Sequence, residues 1–196
     1  VAGNGASDDA AKEALTNIAM QIAAMNPQYI SRDEISADEL AKMKEITIDS
    51  ALNDPFSLPK PVLSKLIEKA VAGVWSAEDV AIYEEKKSNM NFLPNFLSKE
   101  AKAQLAEIAC ADKEEISGNK IFSGLVEGRI SKQMKEICLL DQVYVKAEDG
   151  KQTVAAYLKS VNPALKIAKF VRFEVGEGME KKNEDFAAEV AKQMNG

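Results

Sequence analysis

Histidine is absent from all 196 residues, and that gap removes more chemistry than any other in the chain. Histidine is the commonest general base, the partner in Ser-His and Cys-His nucleophiles, and the commonest metal ligand. Ordinary hydrolase and metalloenzyme readings lose their usual residues. Arginine is scarce: of 25 basic residues only Arg32, Arg129 and Arg172 carry a guanidinium, too few for a bidentate phosphate-reading surface. A net charge of −6 argues the same way against direct nucleic-acid binding, which needs cations to neutralise phosphates. Cysteine appears twice, at Cys110 and Cys138. The two could pair, but they are too few for a secreted disulfide scaffold, and buried reduced thiols are the preferred reading. No run approaches the roughly 18 apolar residues a membrane-spanning helix requires. Residues 1–5 have neither the basic region nor the apolar stretch of a signal peptide, and the lack of an initiator Met suggests that something upstream was removed. A reducing, cytoplasmic setting is expected.

What is present suits a globular chain of one or two domains: 46% hydrophobic and 29% charged residues, long enough to bury a core. Ser7 reads as the cap of a first helix, with Asp8 and Asp9 at its positive end. Leu15, Ile18, Ile22 and Met25 recur at helical spacing, and Asn26-Pro27 ends the pattern. Ser36 and Glu39 form a capping box, with Ile35 and Leu40 placed as a hydrophobic staple. The helix they open is expected to run to about Leu52, where Asn53-Asp54-Pro55 stops it. Short helices follow, two of them capped by Ser76 and Ser98, with residues 89–96 as a packed loop. A long helix is expected from Asp112, carrying Phe122, Val126, Ile130 and Met134 on one face. Its glycines at 118, 124 and 128 cost roughly 1 kcal/mol each relative to alanine, which close helix approach or a local break would explain. Residues 142–145 read as a strand and 153–161 as a helix.

The stretch from Leu165 to Val175 reverses its hydrophobicity almost residue by residue and stops at Gly176. Leu165, Ile167, Val171, Phe173 and Val175 fall on one side, interrupted only by Lys169. Lys166, Ala168, Phe170, Arg172 and Glu174 fall on the other. A period of two predicts a strand with one face on a core and one toward water or a partner. Beyond it, Phe186, Val190 and Met194 repeat on one face of a short terminal helix, to dock on the chain's own core or on a partner. The order predicts an α+β fold, predominantly helical, with a small antiparallel sheet packed by helices and a long inserted helical or coiled-coil lobe. Expected domains are a core of residues 1–35 and 138–182, the lobe 36–137, and a terminal module 183–196.

Four blocks, in order, resemble the carboxy-terminal part of translation elongation factor Ts, the nucleotide-exchange factor for the GTPase elongation factor Tu. They are residues 18–24 followed by Asn26-Pro27-Gln28-Tyr29-Ile30; Val126-Glu127-Gly128-Arg129 with Lys132; Thr153-Val154 through Leu158; and Phe170 to Lys181 with Asp185-Phe186-Ala187-Ala188-Glu189-Val190. The resemblance implies roughly the back half of that protein. Val1-Ala2 would be the tail of a core strand, and the Thr-Asp-Phe-Val loop that the family presses against the GTPase's nucleotide site has no counterpart. It further implies binding of elongation factor Tu through Phe170, Arg172, Asp185, Phe186, Val190 and Met194, and faster GDP release, weak in this fragment. A dimerisation or scaffold module without exchange activity, joined through the helical arms as a homodimer, is the alternative.

Enzymatic readings fare worse. Gly176-Glu177-Gly178 lacks the third glycine of a dinucleotide fingerprint and the Gly-Lys-Ser/Thr of a P-loop, so a strand terminator explains it better. The pairs Asp8/Asp9, Glu84/Glu85 and Glu114/Glu115 point about 100° apart on a helix, which suits capping and solvation better than paired-carboxylate catalysis. No catalytic residue, metal ligand or cofactor is assigned.

Overall fold

The computed structural model describes residues 1–176. Strand β1 (Ala2–Asn4) and strand β2 (Lys166–Lys169) pair antiparallel, and eight helices lie between them. These are α1 (Asp9–Met25), α2 (Ala37–Asn53), α3 (Lys60–Val71), α4 (Ala77–Lys86), α5 (Lys99–Ala111), α6 (Lys113–Ser117), α7 (Lys120–Ile137) and α8 (Val154–Val161). The fold is predominantly helical α+β, as the patterning predicts.

Buried apolar side chains gather in two clusters. The first is built on α1, α8 and β2, with Leu139 and Tyr144. Asp8, not Ser7, caps α1: its carboxylate accepts from Ala11 N at 2.8 Å. The buried stripe is Ala11, Ala14, Ile18, Gln21 and Ile22, which leaves Met25 exposed. At Gly5 the φ is +87°, and an added Cβ would lie 1.8 Å from Ala164 O, so only glycine fits where the β1 exit crosses the β2 entry.

The second cluster fills the space among α2, α3, α5 and α7 with Leu52, Leu66, Ile67, Leu105, Phe122 and Val126. Truncating one such large side chain to alanine costs about 2–5 kcal/mol. Ser36 and Glu39 form the expected capping box on α2. Trp75 donates Nε1–H to Ala101 O at 2.9 Å, tying α5 to the end of α3. Asp79, 6% exposed, joins two caps: its carboxylate accepts from Ser76 Oγ at 2.8 Å, and from Ser98 N and Oγ at 2.9 Å each. Those serines cap α4 and α5. Burial acts to raise the Asp79 pKa, but the hydrogen bonds outweigh it and hold the carboxyl below its usual range.

Three expectations fail locally. The single helix expected from Asp112 is two, divided by the local break that its glycines allowed, at Gly118; Asn119 recaps α7 by accepting from Ile121 N at 2.9 Å and Phe122 N at 3.3 Å. Among the described residues Gly124 and Gly128 serve no helix contact, since an added Cβ would meet nothing within 4 Å. Residues 142–145 are not a ladder strand; Tyr144 N bonds Gln152 O at 2.8 Å and Val154 N bonds Gln142 O at 2.9 Å, closing a loop onto the start of α8.

The roots of α2 and α7 are stapled to the first cluster through main chain. Gln28 N and Tyr29 N bond Ile137 O, while Leu139 N and Leu140 N bond Tyr29 O and Ile30 O. Cys138 is buried there and Cys110 lies exposed on α5, so the expectation of two buried thiols holds for one; both are free.

Candidate functional site

Chemistry-bearing side chains do not converge. Among the described residues no group of three acidic or thiol side chains could hold a metal ion. Asp79 serves the two helix caps, and the other buried polar side chains, Gln21 and Gln142, hold main chain. Gln21 Nε2 donates to Gln142 Oε1 at 3.2 Å and to Val143 O at 3.0 Å, and Gln21 Oε1 accepts from Val145 N at 2.8 Å. Gln142 Nε2 reaches Glu136 O at 2.7 Å. Such groups rigidify; they offer nothing to a substrate. The remaining candidates are surfaces.

The end of the described chain is the first. Gly3 pairs with Ile167 and Ala2 with Lys169, so two residues advance on β2 while one advances on β1. That extra residue is a bulge, and a one-residue slip shifts the face that the next ladder residue presents. Leu165 and Ile167 are buried as expected, yet Val171, Phe173 and Val175 are 56%, 89% and 104% exposed. Phe170 packs half-buried on the first cluster, and half-buried Arg172 donates Nη1–H to Glu174 Oε2 at 2.9 Å. The ordered ladder ends at Lys169 and not at Val175. Lys169, the residue that broke the apolar register, is the trace of this bulge in the sequence.

Of the sequence-derived contact residues, the structure places Phe170 and Arg172 together beside β2. Asp185, Phe186, Val190 and Met194 lie outside the described residues. Phe170 shares its cluster with Tyr144, whose ring stacks on Tyr157 at 4.0 Å and 12°. Burial, with a hydrogen bond to Tyr157, pushes the Tyr144 hydroxyl up to about 12. Asn17 Nδ2 donates to Tyr157 OH at 2.9 Å, and Lys146 Nζ to Asn17 Oδ1 at 2.8 Å. Flanking Tyr144, Val143 and Val145 stand 47% and 48% exposed.

The second surface lies between the helical arms. A groove of about 410 Å³ is walled by Ile35, Leu40, Ile130 and Met134, with Lys44 and Glu127 at its rim. Periodicity placed Ile130 and Met134 on the buried face of α7, but Leu40 was expected to staple the helix and is instead 43% exposed at the groove. Gln21 was missed as well; a polar residue within an apolar helical stripe was its signal.

The sequence matches the family described as elongation factor TS over residues 1–84 and 81–177. It is similar to elongation factor Ts of Clostridioides difficile (strain 630), 34% identical over 180 residues, covering 91% of this chain and 39% of that protein. The corresponding protein of Finegoldia magna is 34% identical over 193 residues (96% and 62%), and that of Alkaliphilus metalliredigens 35% over 185 residues (93% and 58%). The chain thus spans between about two fifths and three fifths of these relatives' length. No solved structure matches it.

Proposed function

The chain belongs to the elongation factor Ts family of translation elongation factors, and from that premise we propose that it promotes GDP release from the GTPase elongation factor Tu. The observation that carries this reading is the family match, which runs through both clusters and up to the exposed segment after β2. No covalent bond is made or broken in such a reaction. The factor binds the nucleotide-free GTPase more tightly than the GDP-bound form, and by linkage GDP affinity falls by the same factor. Shaped apolar surface suffices, and neither histidine nor a cofactor is required.

Phe170 and Arg172 are the contact residues assigned within the described chain, and Asp185, Phe186, Val190 and Met194 those beyond it. The two clusters are taken as two domains: a core of residues 1–35 and 138–182, and a lobe of 36–137, with 183–196 as a terminal module. Because the chain spans only part of its relatives and carries no Thr-Asp-Phe-Val loop, exchange is expected to be slow beside a full-length factor. Stopped-flow release of a fluorescent GDP from elongation factor Tu tests this. A rate raised above the spontaneous one supports the reading, no change at saturating chain contradicts it, and a rate equal to a full-length factor contradicts the assigned weakness.

A second reading, self-association through the arms, is favoured by the apolar groove between α2 and α7 and by the bare Gly124 and Gly128 face. Sedimentation equilibrium distinguishes it, a monomer at all concentrations counting against it.

A further inference from the structure

We propose that the free edge of β2 is a docking groove for an extended, acidic segment of a partner protein. The groove, about 440 Å³, is lined by Leu165, Lys166, Ile167 and Ala168 together with α8 and the turn after α1, and by no residue of β1. Successive strand residues alternate between faces, so a cleft that meets Lys166, Ile167 and Ala168 in a row meets the strand edge-on. Among the described residues β1 is the only strand paired with β2, which leaves this edge with main-chain donors and acceptors for an added strand. Its lining is mixed: Leu140, Leu158, Leu165 and Ile167 lie beside Ser31, Glu34 and the two lysines Lys159 and Lys166.

Charge names the occupant. Lys159 and Lys166 stand on the rim, and among the described residues neither side-chain ammonium has an ion-pair or hydrogen-bond partner. Among the described residues the one carboxylate at the rim, Glu34, already accepts from Ile30 N at 2.6 Å. Residues 151–176 hold Lys151, Lys159, Lys166, Lys169 and Arg172 against the single acid Glu174, in a chain whose net charge is −6. A segment added as a strand here would gain main-chain hydrogen bonds and set carboxylates against the two lysines, with its alternate side chains packed beside Leu140 and Ala155. This inference does not rest on the exchange reading.

The test is fluorescence anisotropy of the full chain with a fluorescein-labelled peptide of alternating Glu and Val. Saturable binding is expected, absent for the Lys-Val counterpart and lost when alternate peptide amides are N-methylated, which removes strand pairing and keeps charge. Reversing both lysines (Lys159→Glu with Lys166→Glu) is expected to weaken binding about tenfold or more, with an unchanged circular dichroism spectrum. Any of four results overturns the proposal: no saturable binding, equal binding of the N-methylated peptide, displacement by a single-stranded oligonucleotide, or a concentration-dependent dimer of the chain that the double substitution abolishes.

Discussion

Replacing Asp79 by alanine removes the carboxylate that joins the caps of α4 and α5, and the structure sets the size of the loss. Three hydrogen bonds end on that group, from Ser76 Oγ, Ser98 N and Ser98 Oγ. A hydrogen bond to a charged group contributes about 1.5–3 kcal/mol, but the serine hydroxyls keep their capping bonds and turn to water. Only Ser98 N–H is left without its acceptor, so the net loss is about 2–4 kcal/mol. Trp75 is the sole tryptophan and is itself bonded to Ala101 in the first turn of α5, so its fluorescence reports on the segment concerned. Urea unfolding followed at Trp75 is expected to show that loss at pH 7. Its pH dependence has a definite sign. The folded-state pKa lies below the unfolded value of about 3.9, so the stabilisation is fully present above that value and is lost as pH falls through the folded pKa. The gap between wild type and Asp79→Ala therefore narrows in strong acid. A loss under 0.5 kcal/mol at pH 7, or a gap that persists unchanged at low pH, refutes the reasoning.

Gly124→Ala and Gly128→Ala are each expected to raise stability by up to about 1 kcal/mol, because an added Cβ meets nothing and helix propensity improves; a higher urea midpoint checks this. Gln21→Ala strands Val145 N, Val143 O and Gln142 and should cost about 2–4 kcal/mol, with lost hydrogen-exchange protection at Val145. Tyr144 should resist ionisation until about pH 12 in a spectroscopic titration of the folded chain. Its folded pKa is raised, so the stability it contributes is present below the unfolded value of about 10 and is lost as pH rises toward 12.

Much of the fold was legible because local signals agree with packing. Ser36, Glu39 and the two prolines of residues 59–61 fix where α2 and α3 begin. Phe122, Val126 and Met134 mark the buried face of α7. Where sequence and structure part, a long-range partner decides. The cap of α1 is the local exception: Ser7 and Asp8 are both competent, and Asp8 takes the Ala11 N–H three residues on. Residues 142–145 have strand composition, but Gln21 from α1 occupies the main chain that a neighbouring strand would need. The bulge in β2 shows least in the sequence: its partner is the three-residue β1, and the ladder ends at Lys169, so Val171, Phe173 and Val175 lie beyond the sheet and stay exposed. Phe170, which periodicity alone assigns to the other face, packs against the core.

The proposed exchange role meets its most direct test in titration calorimetry of the chain against elongation factor Tu, nucleotide-free and GDP-loaded. Tighter binding to the nucleotide-free form is predicted, by the same factor with which the chain weakens GDP binding. Equal affinity for the two forms, or binding to neither, would contradict it.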